Sequence, residues 1–140
     1  MLIVKEKKFG HPIYIVSDDI YRHLIFDGLT NCNAFLSYPN SILVNSYSKD
    51  LGIPGERIGY IAINPKILER QELREALVLC NRILGFVNAP ALMQKILPRI
   101  GNTRVEVSAY QKLRDKILSM LKDLGFETVK PRGALYVFPK

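Results

Sequence analysis

Cysteine is scarce in this chain of 140 residues: Cys32 and Cys80 are the only two. They stand far apart, which excludes a closely spaced metal-binding or redox pair. A reducing intracellular compartment is the simpler expectation, with Cys80 read as a small core residue. The chain also lacks any run of about twenty apolar residues, so no spanning helix and no membrane partner are expected. Met1 to Gly10 is charged and has no apolar segment leading to a small-residue cleavage site, which argues against a signal peptide and for a cytoplasmic protein. No internal repeat and no low-complexity tract occur. The eight prolines and nine glycines are scattered among apolar runs, as turns between packed elements require.

Acidic residues are outnumbered. Twenty Lys and Arg against thirteen Asp and Glu give a formal net charge of +7, a field that favours anionic ligands. The basic residues are nevertheless dispersed, from Lys5, Lys7 and Lys8 through Arg70 and Arg74 to Lys112, Arg114, Lys116, Lys122 and Lys130, and read as solvated faces. Zinc-finger spacing and paired aromatic platforms are both missing, so no nucleic-acid partner is expected. His11 and His23 have no metal-binding companions and read as local polar groups.

What is present suits one folded domain: hydrophobic residues make up 48% of the chain. Pro12 to Val16 reads as a buried strand opening into Ser17-Asp18-Asp19. Ile42-Leu43-Val44 reads as a second, followed at once by Asn45-Ser46-Tyr47-Ser48-Lys49. Strands of a parallel sheet have apolar interiors and gather ligands in the crevice beyond their carboxyl ends, which is where these polar clusters fall. Gly52, Pro54 and Gly55 bend the chain before a third strand over Arg57 to Ile63.

Helical periodicity takes over after Pro65. Leu73, Leu77, Cys80 and Leu84 share one face of a helix expected from about Lys66 to Leu84, with Gly85 as its stop. Pro90 lies in the first turn of the next helix, which Pro98 is expected to interrupt. Tyr110, Leu113, Ile117, Leu121 and Leu124 form a stripe on a third helix, from about Val105 to Leu124 and capped by Gly125. Phe126 to Val129 and Leu135 to Phe138 then read as strands joined by Pro131-Arg132-Gly133.

Two polar strand ends lying side by side bring together the carboxylate of Asp18, the phenol of Tyr21 three residues on, the hydroxyl of Ser46, the amine of Lys49 and the guanidinium of Arg57. Taken singly, each has a blander explanation. Lys49 is ordinary solvated surface, Asp18 a turn or helix-cap carboxylate, and Tyr21 an aromatic at the core edge.

The ordered set Ser17-Asp18-Asp19-Ile20-Tyr21, Asn45-Ser46-Tyr47-Ser48-Lys49-Asp50-Leu51-Gly52 and Gly55-Glu56-Arg57-Ile58-Gly59-Tyr60 resembles the aspartate aminotransferase fold family of enzymes dependent on pyridoxal 5'-phosphate (PLP). The resemblance implies an α/β fold. Residues 1–85 are then part of a PLP-binding major domain with a mixed, mostly parallel sheet, 86–103 a connecting helical segment, and 104–140 the start of an α+β small domain.

It implies Lys49 as the residue linked to PLP and the catalytic proton carrier. Asp18 is then the partner of the pyridine nitrogen, Tyr21 that of the ring oxygen, and Ser46 and Arg57 those of the phosphate. Ser48 either joins the phosphate or shapes the turn, while Asp50 and Glu56 support the loop or face solvent. The reaction implied is transfer of an amino group between an amino acid and a 2-oxo acid in a homodimer. Other PLP chemistry on the same scaffold, a lyase or a carbon-carbon synthase, is the alternative enzyme class.

The family's upstream phosphate cradle, ring-stacking aromatic and asparagine, and its downstream carboxylate-clamping arginine, have no counterpart here. A truncated portion, limited in activity or noncatalytic as an isolated chain, is therefore also expected. Arg132 is not assigned the carboxylate role.

Overall fold

The computed structural model describes residues 1–140. Its centre is a three-stranded sheet in sequence order, β1 (Ile15–Asp18), β2 (Ser41–Ser46) and β3 (Gly59–Ile63). β1 runs parallel to β2, with Ile15 beside Ser41 and Asp18 beside Val44. β3 runs antiparallel to β2, from Ser46 beside Gly59 to Ile42 beside Ile63. The architecture is α/β with a mixed, partly parallel sheet. Ile42 and Leu43 are buried in the central strand, whereas Val16 and Ile61 on the edge strands are 64% and 40% exposed. Successive side chains point to opposite faces of a sheet, so burial of both Ile42 and Leu43 marks a strand covered on both faces, which is where a continuous apolar run belongs.

The crossover from β1 to β2 contains the short helix α2 (Ala34–Ser37), capped by Asn33, whose side chain accepts from the Phe35 amide. A buried polar plug holds this crossover against the end of β3. The Asn64 amide nitrogen donates to Phe35 O at 2.7 Å, Tyr38 O at 3.2 Å and Ser41 Oγ at 3.1 Å, and Ser41 Oγ donates to Tyr38 O at 2.6 Å. Each buried carbonyl thereby finds a donor, as low-dielectric burial demands. On the other side, helix α1 (Leu2–Phe9) is tied down by Glu6, whose Oε1 accepts from the Ile13 amide, Tyr38 Oη and Asn40 Nδ2 at 2.9, 2.7 and 2.6 Å.

A one-turn helix, α3 (Tyr47–Asp50), continues from β2. The Gly-Pro-Gly bend becomes a 3₁₀ turn over Pro54–Glu56, so the third strand starts at Gly59, two residues later than expected. Three longer helices follow: α4 (Arg70–Ile83), α5 (Ala91–Ile100) and α6 (Val107–Asp123). No helix is long and apolar enough to cross a membrane.

Several expectations need correcting. Cys80 is exposed rather than in the core, because α4 half-buries only Leu73 and Leu77 and leaves Ile83 and Leu84 about three-quarters and two-thirds exposed, at 73% and 68%. Pro98 does not interrupt α5 but sits inside it. It lies two residues from the end, where loss of one backbone bond is cheapest. In α6, Gly125 adopts φ 83° and stops the helix as expected, but the most buried residue is Arg114, at 5% exposure, while Leu113 on the apolar stripe is 54% exposed.

The two C-terminal strands also do not form as a hairpin. Thr128 and Pro139 make one isolated bridge, and Gly133 pairs with Ile25 instead. Phe26 N donates to Arg132 O and Ala134 N to Leu24 O, both at 2.9 Å, so residues 24–26 engage the connecting segment that would have had to form the tight turn between the two strands. A side chain at Gly133 would lie 2.7 Å from Leu24 O, which explains glycine at this crossing.

Arg114 locks the same junction. Its guanidinium donates to both Asp27 carboxylate oxygens and to Pro131 O, each at 2.9 Å, and lies 4.7 Å from the centre of the Phe26 ring. These bonds hold the Asp27 carboxyl well down, at about 2.

Candidate functional site

The sheet topology sends three polar ends in one direction. Because β1 and β2 are parallel, Asp18 and Ser46 both lie at carboxyl ends; because β3 is antiparallel, its first residue, Gly59, lies opposite Ser46. The five residues singled out by sequence thus flank a single end of the sheet.

Each is placed by a local device. Asp18 closes β1 with its side chain exposed, and Asp19 N donates to Val44 O at 2.9 Å, which carries the pairing one residue further. Tyr21 sits in a turn, with Leu24 N donating to its carbonyl at 2.9 Å. Ser46 is the N-cap of α3, where its Oγ accepts from Ser48 N at 3.1 Å and donates to Ser48 Oγ at 2.9 Å. Ser48 accordingly shapes the strand-to-helix turn.

Lys49 is half-buried in the last turn of α3 and belongs to none of the chain's ion pairs. Its amine is free for other chemistry. Arg57 has a left-handed backbone, φ 47° and ψ 51°, and an exposed side chain whose Nη1 donates to Pro54 O at 2.8 Å. Only one of its nitrogens is engaged there, so most of the guanidinium fork remains available.

Two concavities divide the set. Ser46, Ser48 and Arg57 line an open groove of about 1010 Å³ that runs past Gly59 and Tyr60 to the 85–90 segment. Asp18 and Tyr21 line another, of about 490 Å³, walled by Arg22, Arg132 and Gly133. Lys49, on the helix that continues from the central strand, lines neither. The donor set matches the parts of PLP: hydroxyls and a guanidinium for a phosphate, a carboxylate for a pyridinium nitrogen, a phenol for a ring oxygen and an amine for an aldehyde.

Close approach of the strands shapes this end. A Cβ on Gly59 would fall 2.4 Å from Asn45 O and 3.2 Å from Ser46 Cα. The glycine lets β3 approach the strand that ends in Ser46 and leads into the helix of Lys49.

Other groups at this end were not evident as site residues. Tyr136, read only as part of a strand, brings its hydroxyl within 2.8 Å of Tyr21 Oη, with the rings edge-to-face at 5.8 Å. That hydrogen bond, with burial and the nearby Asp18 charge, raises the Tyr21 phenol to about 12. Asp50 is not at the surface: it is 4% exposed, its Oδ1 has no hydrogen-bond partner, and its Oδ2 is 3.9 Å from His23 Nε2. Burial holds the His23 imidazole below its usual range against the opposing pull of Asp50. Sequence spacing gave no sign of either pairing, since 115 residues separate the two tyrosines and 27 the histidine and aspartate.

A family model described as aminotransferase class I and II matches residues 4–140. The chain is 33% identical over 137 residues to a probable aspartate/prephenate aminotransferase of Thermus aquaticus, covering 94% of this chain and 35% of that protein. It is 31% identical over 136 residues to a (5-formylfuran-3-yl)methyl phosphate transaminase of Methanocaldococcus jannaschii, covering 90% and 34%. Among solved structures, an amino transferase from Eubacterium rectale superposes with a TM-score of 0.90 at 37% identity, over 99% of this chain and 35% of the other. The chain therefore spans about a third of the length of the relatives it matches.

Proposed function

Because the chain belongs to the class I and II aminotransferase family, we propose that it carries the cofactor-anchoring part of a PLP-dependent aminotransferase that moves an amino group between an amino acid and a 2-oxo acid. The observation that supports this reading is that Asp18, Tyr21, Ser46, Lys49 and Arg57 all lie on or next to the strand termini at one end of the sheet, as the parallel and antiparallel registers of β2 dictate. PLP, when bound, supplies an aldehyde for covalent attachment and an electron sink for chemistry at the substrate's α-carbon.

In this reading each side chain has a separate task. Lys49 would hold the cofactor through its amine and, as a free amine, would move a proton at the substrate carbon. Its placement directly after β2 fixes the amine relative to Ser46. Asp18 would hold a proton at the ring nitrogen through its negative charge, and Tyr21 would donate to the ring oxygen. Ser46 and Arg57 hold the phosphate, the guanidinium offering two parallel donors. Asp50, buried at the end of α3 and approached by His23, belongs to the support of that helix. The homodimer and the substrate pair are parts of the same proposal, supported by family membership.

The test is attachment. The full chain is mixed with PLP, treated with borohydride and digested, and the modified residue is located by mass spectrometry. A pyridoxyl group on Lys49, absent from Lys49→Ala, is expected. Modification spread over surface lysines, with Lys49 unmarked in folded protein, would sink the reading. Incubating the loaded protein with amino-acid and oxo-acid pairs then separates transfer from lyase or synthase chemistry: transfer forms one new amino acid per oxo acid released.

A further inference from the structure

A phenol has one proton to donate and two lone pairs with which to accept. Tyr21 Oη and Tyr136 Oη are 2.8 Å apart, so one proton must lie on the line between them; two oxygens at that distance with lone pairs facing would repel. If Tyr21 turns its proton to the ring oxygen of a bound cofactor, the proton between the tyrosines has to come from Tyr136. Tyr136 is carried by the C-terminal segment, which is fixed against residues 24–26 by the Gly133 crossing. It reaches Tyr21 edge-to-face and is itself 57% exposed, so its hydroxyl is free to rotate.

We propose that Tyr136 is a positioning residue for the cofactor site: it accepts the Tyr21 proton when the ring oxygen is absent, and donates its own to Tyr21 when Tyr21 donates to that oxygen. Both protons stay on their own oxygens, and only the direction of the hydrogen bond reverses. The arrangement fixes the Tyr21 ring by packing while leaving its proton free to be redirected, and it links the last segment of the chain to the turn after Asp18. The inference rests on the PLP reading above and deepens it.

The raised Tyr21 phenol fits the empty-site direction, because donating to Tyr136 disfavours loss of that proton.

The test uses the full chain labelled at tyrosine Cζ, with Tyr21→Phe to assign the signal, and compares wild type with Tyr136→Phe and Tyr136→Leu by NMR pH titration. The first variant keeps the ring and removes only the hydroxyl. In the absence of PLP, Tyr136→Phe is expected to bring the Tyr21 midpoint from about 12 back towards 10. With PLP it is expected to weaken retention by about five- to tenfold, the loss of one hydrogen bond, and to shift the pH midpoint of the bound chromophore's absorbance.

If Tyr136→Phe matches wild type and only Tyr136→Leu differs, ring packing is responsible and the inference is overturned. If wild type attaches PLP at Lys49 while the Tyr21 midpoint is unmoved in Tyr136→Phe, the inference alone fails. A wild-type chain that takes no PLP at Lys49 overturns both.

Discussion

Gly59→Ala tests whether the close approach of β2 and β3 organises the candidate site. The added methyl would meet Asn45 O at 2.4 Å, a backbone atom that cannot rotate away, and Ser46 Cα at 3.2 Å. An ordinary carbon-to-oxygen contact is roughly 3.3 Å or more, so the strands must part by most of an ångström at the pairing of Ser46 with Gly59. Overpacking of this kind costs about 1–3 kcal/mol. The adjacent bond from Tyr47 N to Ile58 O, now 3.1 Å, would stretch and lose about 1 kcal/mol more. A loss of roughly 2–4 kcal/mol follows. At an unfolding entropy of about 2.1 cal/mol/K per residue, this lowers the Tm of a chain this long by roughly 7–14 °C. Differential scanning fluorimetry measures the shift, and PLP titration shows whether displacing Ser46 also weakens the cofactor. Gly55, where a Cβ meets nothing within 4 Å and φ is not positive, is the control: Gly55→Ala should leave Tm unchanged or raise it by about 1–3 °C. A Gly59→Ala protein as stable as the control, with unchanged PLP affinity, refutes the close-approach argument.

Arg114→Met should lower Tm by on the order of 5–10 °C, because it leaves Asp27 and the Pro131 carbonyl without their buried donor; an unchanged Tm would remove the junction from the list of things that hold the fold. The sign with pH follows from the depressed carboxyl. Asp27 contributes its stabilisation fully above its ordinary value of 3.8 and loses it as pH falls through about 2, so wild type should show an acid limb in this window that Arg114→Met reduces, as acid titration by circular dichroism would reveal. Asn64→Ala should cost about 1–3 kcal/mol by removing the short donor to the Phe35 carbonyl, Tyr38 O keeping its bond from Ser41 Oγ; a urea midpoint equal to wild type contradicts that. Finally, the chain exposes 10393 Å², where a compact chain of 16.0 kDa is expected to expose about 7,400 Å². With Ile83, Phe86 and Phe138 at 73–79% exposure, the folded protein should bind the dye ANS strongly, and an absence of fluorescence gain would contradict this surface.

The parts of the fold legible in the sequence were those governed by neighbours along the chain. Ile42-Leu43-Val44 reads as buried because a central strand needs apolar residues on both faces, and this run lies inside β2. Gly125 reads as a stop because positive φ there is a local demand. Burial of the helices was not legible, because a helical stripe reports only that one side is apolar. Leu113 and Leu124 carry the stripe of α6 and remain 54% and 72% exposed, while Arg114 is buried by groups that come from residues 26, 27 and 131. The strand reading of residues 126–129 and 135–138 failed for the same reason. Their alternation was compatible with pairing, but residues 24–26, more than a hundred positions away, engage the intervening backbone at Arg132 and Ala134.

The candidate site divides along the same line. Asp18, Ser46 and Lys49 could be placed at one sheet end from sequence because each follows directly on its own apolar strand, and a strand's end is a local property. Arg57 needed one further fact, the reversal of β3, which sets Gly59 opposite Ser46 and returns the arginine to that end. Tyr136 and Asp50 were invisible as site neighbours because their relevance depends on what packs over them. A tyrosine in an alternating segment is ordinary, and it becomes part of the Tyr21 environment only after Gly133 has crossed Leu24. An aspartate beside an exposed-looking lysine is ordinary too. Its burial follows from the return of the chain at Val105, whose amide donates to the Asp50 carbonyl at 2.9 Å, and from His23 approaching from the β1 turn. The residues that sequence reveals are therefore those at strand ends, whereas the groups packed against them come from elements that meet only in the folded chain.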